Sequence, residues 1–247
     1  MFIPSLLHHR SCRFSCDTAV PDTFGVLCWN VHKNNTVHIE FKPFLQEFTQ
    51  ENKVDFLLFQ EANFRDDKQF TLPNFAFNAA ANLEFRGEFY GVLSASKVES
   101  IAAQAYLSEG RESLIGPHKS LLLSGYTFED KTELLILNVH AINFRENRRY
   151  HKELERFLEL MQDHQGPMII AGDFNSWNKK RMDKLHEIRA KLALNSVPFE
   201  QSDKVKSFMG NHLDFISYRG MELIDFKVHR DHGLSDHNPL YAQFKKI

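Results

Sequence analysis

Cysteine is scarce in this chain. Its three residues, Cys12, Cys16 and Cys28, fall within the first thirty positions without regular spacing. That excludes a disulfide framework and points to a reducing compartment, the cytoplasm. Cys12 and Cys16 could begin a zinc site, but no Cys or His pair follows at finger spacing. Long apolar runs are missing as well: no stretch approaches the roughly 20 residues that a membrane span needs. The start, Met1 to Leu7, is apolar only briefly before His8, His9 and Arg10, too short and in the wrong order for a secretory leader. A large charge of either sign is also absent. With a formal net charge of −2 over 247 residues there is no broad basic field, so a polyanionic partner must be gripped locally. No internal repeat, low-complexity linker or shift in composition divides the chain.

What is present is the material of a core. The chain is 43% hydrophobic and 25% charged, the balance of a globular protein. Its 23 phenylalanines read as packing. Phe24 to Trp29 and Val54 to Phe59 are short apolar runs that suit buried strands, each ending in polar residues. Between them Phe41, Phe44, Leu45 and Phe48 recur at helical spacing, with Pro43 tolerated in the first turn. Tyr90 to Ala95, Ser120 to Ser124, Leu134 to Val139 and Met168 to Ala171 read as further strands, as do Leu213 to Tyr218, Glu222 to Val228 and Leu240 to Phe244. Helices are predicted from Tyr150 to Met161, closed by Gly166 and Pro167, and from Met182 to Leu194. Mixed strands with helices between them predict a single layered α/β domain over residues 24–247, preceded by an N-terminal extension over 1–23.

The polar residues sit at informative places. Asn30, Gln60 with Glu61, His140 with Asn143, Asp173 with Asn175, and Asp236 with His237 each follow an apolar strand or lie in a loop beside one. A strand that ends in an unpaired acid or amide needs water, a partner or a metal. Ligands of open α/β sheets bind beyond the strand ends, so a common site would account for all of these groups. Glu61, Asp173 and Asp236 offer hard oxygens without clustered thiolates, a set suited to Mg²⁺ or Mn²⁺. Asp173, Asn175, His140 and His237 are the types that activate water and stabilise charge on a phosphate, and Asn30, Asn143 and Asn175 can donate without adding charge. The chemistry points to hydrolysis of a phosphate ester.

In order along the chain, the segments CWNVHKNN, LLFQEANF, LNVHAINF, IIAGDFNSW, HLDFISY and LSDHNPL resemble the motif set of the endonuclease/exonuclease/phosphatase superfamily, which is deoxyribonuclease I-like. Each is weak alone; their order and strand-end placement make the likeness specific. The HAINF, AGDFNSW and LDFISYRG wording is similar to a bacterial branch of it. The resemblance implies a four-layer sandwich of two mixed β-sheets flanked by α-helices. It also implies a Mg²⁺-dependent phosphoesterase, a phosphodiesterase or nuclease, whose partner is a phosphate-ester substrate, nucleic acid among the candidates. Glu61 would be the principal metal ligand, supported by Asn30, with Asp236 near the same ion. Asp173 would position or deprotonate the attacking water, Asn175 and Asn143 would contact phosphate, and His237 would face the scissile group, oriented and kept protonated by Asp214. His140 matches a position that is His in deoxyribonuclease-like and sphingomyelinase-like members but Tyr in abasic-site repair nucleases. His32, after WNV, stands where the repair enzymes carry an acid, which leaves no second acidic ligand there.

Each residue also has a plainer reading. Asn30, Gln60 and Asn143 could bridge loops, His140 could be a core histidine, and Asp214 could hold a backbone amide. The run His229, Asp231, His232, Asp236 and His237 could suggest zinc, but that leaves Glu61 and GDFN unexplained. Lys179, Lys180 and Arg181 after GDFNSW, and Arg145, Arg148 and Arg149 after HAINF, could meet phosphate or simply begin solvated helices, the reading favoured for most of them; Lys119 fits either role. Residues 62–89 and 195–212 are the expected specificity loops. They would decide between a nuclease and the alternatives of a phosphatase or a sphingomyelinase-like phospholipase acting on a sugar, inositol or lipid phosphate. A non-catalytic binding module would be expected to lose Glu61, Asp173, Asn175, Asp236 and His237 first, and all are kept.

Overall fold

The computed structural model describes residues 5–9, 17–64, 72, 74–111, 118–143, 146–199, 203–230 and 233–247. Strand β1 (Ser5–His9) is followed by β2 (Thr23–Asn30), helix α1 (Phe41–Glu51), β3 (Phe56–Phe64), β4 (Ala76–Phe85) and β5 (Glu88–Ser96). Next come β6 (Ala102–Arg111), β7 (His118–Thr127), β8 (Glu133–His140), α2 (Asn147–Met161), β9 (Met168–Asp173) and α3 (Lys179–Lys191). The last part holds β10 (Asn195–Ser196), a small hairpin of β11 (Ser207–Phe208) and β12 (Asn211–His212), then β13 (Asp214–Arg219), β14 (Met221–Val228) and β15 (Leu240–Lys246).

One sheet has the order β1-β4-β5-β3-β2-β15-β14 and the other β10-β13-β9-β8-β7-β6. Both are mixed: β2 runs parallel to β3 and β8 to β9, and their other neighbours are antiparallel. Alternate residues explain the layering. In β2, Val26 and Cys28 share a core with Ile169, Ala171 and Ile216 of the second sheet, while Leu27 and Trp29 pack with Phe41, Leu45 and Phe48 of α1. In β8 and β9, Ile136 and Ile169 lie between the sheets, while Leu137 and Ile170 meet Leu154, Phe157, Leu185 and Ile188 of α2 and α3. Strands covered on both faces have no need of a polar side, hence their continuous apolar runs. The result is the expected four-layer sandwich: α1, two mixed sheets, then α2 with α3. The phenylalanines do pack it. Phe24, Phe56, Phe59 and Phe157 are at most 1% exposed, each stabilising the fold by roughly 1.5–3 kcal/mol.

Part of the 62–89 stretch differs from the loop expected of it. Residues 65–71 and 73 lie outside the described residues, but β4, with the sequence AFNAAANLEF, is a full strand. An alanine run has weak β-propensity and hides its alternation; pairing with β1 on one edge and β5 on the other makes it a strand. Gly172 has φ +144, and a Cβ there would sit 1.9 Å from the Val139 carbonyl oxygen. Only glycine lets β9 lie so close to β8, one residue before Asp173. Cys12 and Cys16 lie outside the described residues, and Cys28 is a buried free thiol. Among the described residues no helix is long and apolar enough to cross a membrane.

Candidate active site

Strand register assembles the site. Parallel pairing of β8 with β9 sets His140 beside Asp173, and antiparallel pairing of β9 with β13 sets Asp173 beside Asp214. In the other sheet β2 and β3 place Asn30 beside Gln60. The β3–β5 pairing then slips between Phe59 and Ala62, and Glu61 takes φ +50. This bulge separates two neighbours in sequence. Gln60, 0% exposed, donates to Asn138 Oδ1 at 2.8 Å and ties the two sheets together. Glu61 lines the cleft.

Asp236 and His237 arrive on the turn before β15, which runs antiparallel to β2 and so brings that turn to the Asn30 end. Three bonds hold it there: Trp29 Nε1 donates to the His237 carbonyl at 2.7 Å, Ser235 Oγ to the Asn30 carbonyl at 2.6 Å, and the His237 amide to Ser235 Oγ at 3.2 Å. Asn30 Nδ2 donates to Asp173 Oδ2 at 3.0 Å, joining the two sheets at the site. Asn175, with φ +48, donates its amide to Asp173 Oδ1 at 3.0 Å and its side chain to the Ala141 carbonyl at 3.0 Å. Every residue expected at the site except Gln60 and Asp214 lines one cleft of about 240 Å³. Asp214 sits behind His237, its Oδ2 2.7 Å from Nδ1.

The charges divide the labour. Burial works against an imidazolium at His237, but the attraction and hydrogen bond of Asp214, with Asp173 and Asp236 behind them, outweigh it and lift the pKa to about 9. Asp173 is pushed up to about 6 by burial and by repulsion from Asp214. His140 is held well below the usual histidine range by burial and by Lys119, His237 and Lys33. Lys119 Nζ lies 3.0 Å from His140 Nε2. An ammonium has no lone pair, so the imidazole nitrogen accepts and the ring is neutral.

The sequence profile of the endonuclease/exonuclease/phosphatase family matches residues 27–237. The chain belongs to that family. A relative from Vibrio campbellii, described as UPF0294 protein, is 32% identical over 223 residues, covering 89% of this chain and 77% of that one. An endonuclease/exonuclease/phosphatase from Beutenbergia cavernae superimposes with a TM-score of 0.69 at 13% identity, over 91% of this chain and 72% of that one. The human Nocturnin catalytic domain, solved with a bound sulfate anion, gives 0.67 at 14% identity, over 99% and 98%. At such identities these two share the fold with the present chain.

Several residues of this endonuclease/exonuclease/phosphatase chain stand at the site with no clear local signal for it. Lys119, 7% exposed, lines the cleft and lies 3.8 Å from Glu61 Oε1. Trp177, Lys206, Phe208 and Leu213 line it too. Arg181 neither lines the cleft nor lies on a solvated helix face. It is 0% exposed, donates to the Ile142 carbonyl at 3.1 Å and the Asn175 carbonyl at 2.8 Å, and lies over the rings of Tyr150 and Trp177. It therefore ties the HAIN loop to the GDFN turn. Lys179, Lys180, Arg148 and Arg149 are exposed, and Arg145 lies outside the described residues. His229 contacts the rings of Phe44 and Phe48 at 5.5 and 5.2 Å, while Asp231 and His232 lie outside the described residues.

The donor set fits a divalent cation. Asn30, Glu61, Asp173 and Asp236 bring hard oxygens to one cleft. Asn30 Oδ1 accepts from the His32 amide at 3.1 Å, and an amide oxygen has a second lone pair for an ion. Glu61 and Asp236 also have nitrogen groups of the protein beside them: Lys33 Nζ is 3.6 Å from Glu61, while Lys206 Nζ and His32 Nδ1 are 3.1 and 3.3 Å from Asp236. Among the described residues the one group of three metal-type atoms within 4.8 Å of one another is Asp173, Asp214 and His237. Two of these are already bonded to each other.

Proposed function

We propose that this chain is a Mg²⁺-dependent phosphodiesterase or nuclease, with Mn²⁺ as the alternative ion, acting in the cytoplasm through a catalytic domain of residues 24–247. The observation that supports it is the meeting of both sheets at Asn30–Asp173, with the Asp214–His237 pair beside it. Asn30, Glu61 and Asp236 would hold the ion. When bound, it polarises the phosphate and offsets charge on its oxygens. Asp173, with a pKa of about 6, is a base suited to near-neutral pH and takes the proton of the attacking water. His237, protonated through Asp214, donates to the phosphate oxygens as charge builds there. Lys119 adds a positive charge beside a neutral His140, and Asn143 and Asn175 orient the phosphate.

Bis-p-nitrophenyl phosphate provides the test. Hydrolysis should require Mg²⁺ or Mn²⁺, stop in EDTA and return when the ion is restored. Activity that persists in EDTA would end the metal-dependent reading.

A further inference from the structure

Most of the cleft lining is polar, but Trp177, Phe208 and Leu213 share it. Trp177 follows the GDFN turn and Phe208 stands on the β11–β12 hairpin, and their rings meet edge to face with centroids 6.3 Å apart. Neither ring belongs to the core clusters of the sandwich, and Phe208 is 48% exposed. The corner is nevertheless held in place. Asn211 Nδ2 donates to the Trp177 carbonyl at 3.0 Å, Ser176 Oγ to the His212 carbonyl at 3.0 Å, and the Arg181 guanidinium lies 4.9 Å from the Trp177 ring. Lys206, next to the hairpin, bonds Asp236 Oδ2 at 3.1 Å. The pair is thus an ordered aromatic corner outside the core clusters, on the lining of a polar cleft.

We infer that Trp177 and Phe208 form a nucleobase subsite, stacking the base of a nucleotide whose phosphate lies among Asp173, His237 and Lys119. The position of that phosphate rests on the phosphodiesterase reading above. Two rings at an angle receive a third planar group on one face and one edge. A base offers that π-face and, around it, a polar rim for the charged groups of the same lining. A lipid surface fits less well, because insertion calls for a broad apolar patch. Within the hairpin only Phe208 and Met209 are large and apolar, and Lys206 and Asp236, bonded to each other, share the cleft lining with Phe208.

The chain has two tryptophans. Trp29 is 1% exposed and stacks on Phe41 at 5.0 Å, but its Nε1 bonds the His237 carbonyl at the cleft, so each titration is repeated with Trp177→Phe, and only quenching lost in that variant is assigned to Trp177. The full chain is titrated, with and without Mg²⁺, with adenosine 5′-monophosphate, with ribose 5-phosphate and with phosphatidylcholine vesicles. Saturable quenching by the nucleotide is expected, with ribose 5-phosphate weaker by about tenfold, the scale of one stacked base. Phe208→Ala, checked for its fold by circular dichroism, should weaken the nucleotide by about the same factor. Equal affinity for the two phosphates, quenching by neither in either condition, or a response to vesicles alone would overturn the subsite. Hydrolysis is scored separately, with thymidine 5′-(p-nitrophenyl phosphate) against methyl p-nitrophenyl phosphate in Mg²⁺. Base-dependent quenching without turnover of either ester sinks the phosphodiesterase reading and leaves the subsite standing. Equal kcat/KM for both esters, with no base-dependent quenching, does the reverse.

Discussion

Asp214 Oδ2 lies 2.7 Å from His237 Nδ1, linking the first residue of β13 to the turn ahead of β15. Both side chains are buried, and Asp214 Oδ1 has no hydrogen-bond partner among the described residues. The charge on Asp214 is thus answered chiefly by the imidazolium, and the imidazolium persists because of Asp214.

Asp214→Asn retains the shape and removes that charge. Without it His237 loses the attraction that holds its proton, and kcat on bis-p-nitrophenyl phosphate should fall by about 10²–10³-fold, the range of a lost donor to charge that builds in the transition state. Steady-state kinetics checks this; a loss of under about tenfold excludes His237 as the donor to the phosphate oxygens.

Asp173→Asn separates activity from stability. The folded pKa of Asp173 is raised from 3.8 to about 6, so its contribution to stability is full below the unfolded value and is lost as pH rises through the folded one. Above neutral pH the variant should therefore melt at or near the wild-type temperature, or higher, while turnover drops by orders of magnitude. Calorimetry and kinetics on the same preparation decide it, and comparable activity in the variant rules out the role of Asp173.

Lys119→Met keeps the length of the chain and deletes the ammonium near His140 and Glu61. If that charge acts on the phosphate, kcat/KM should fall by about 10²-fold, with Lys119→Arg losing less. Equal losses in both variants, each with an unchanged melting temperature, would point to geometry rather than charge.

Glu153 makes the pH dependence of stability measurable away from the cleft. Its Oε1 accepts from the Ile142 amide at 3.2 Å, and Oε2 has no hydrogen-bond partner among the described residues. Burial lifts the carboxyl to about 8, against the opposing pull of the Ile142 amide, Arg181, Arg156 and Lys119. A raised folded value gives stability that is complete below the unfolded pKa of 4.5 and is lost as pH rises through about 8. Wild-type melting temperature should decline across that window and Glu153→Gln should flatten the decline, a difference on the order of 5 kcal/mol at the alkaline end. Parallel melting curves across pH for the two proteins would show that Glu153 is not the group responsible.

Much of the site was legible because its members stand at the ends of apolar runs. Asn30, His140 and Asp173 end runs that demand burial, and a polar group there needs a reason; Asp236 lies in a turn beside such a run. Lys119 was ambiguous for the opposite cause: a lysine at the start of a strand is ordinary, and only the neighbouring strand shows that it is buried beside His140. Arg181 misled in the same way, since a basic residue in a first helical turn belongs equally to solvent. Gln60 and Glu61 looked like a pair; a bulge of one residue sent them to different places.

From its own residues, then, the chain determines the helices and the apolar strands of the core and the faces they bury, because those depend on spacings of two to four residues, whereas β4 is a strand only through its pairing. It also sets the chemical types available at the strand ends. Which of those types meet was decided by the tertiary structure. Asn30 and Asp173 are 143 positions apart and bond across two sheets, and Asp173 stands between His140 and Asp214 only through the registers of β9 with β8 and β13. Register depends on a whole sheet packing at once against its partner and its helices, and no local spacing carries that information.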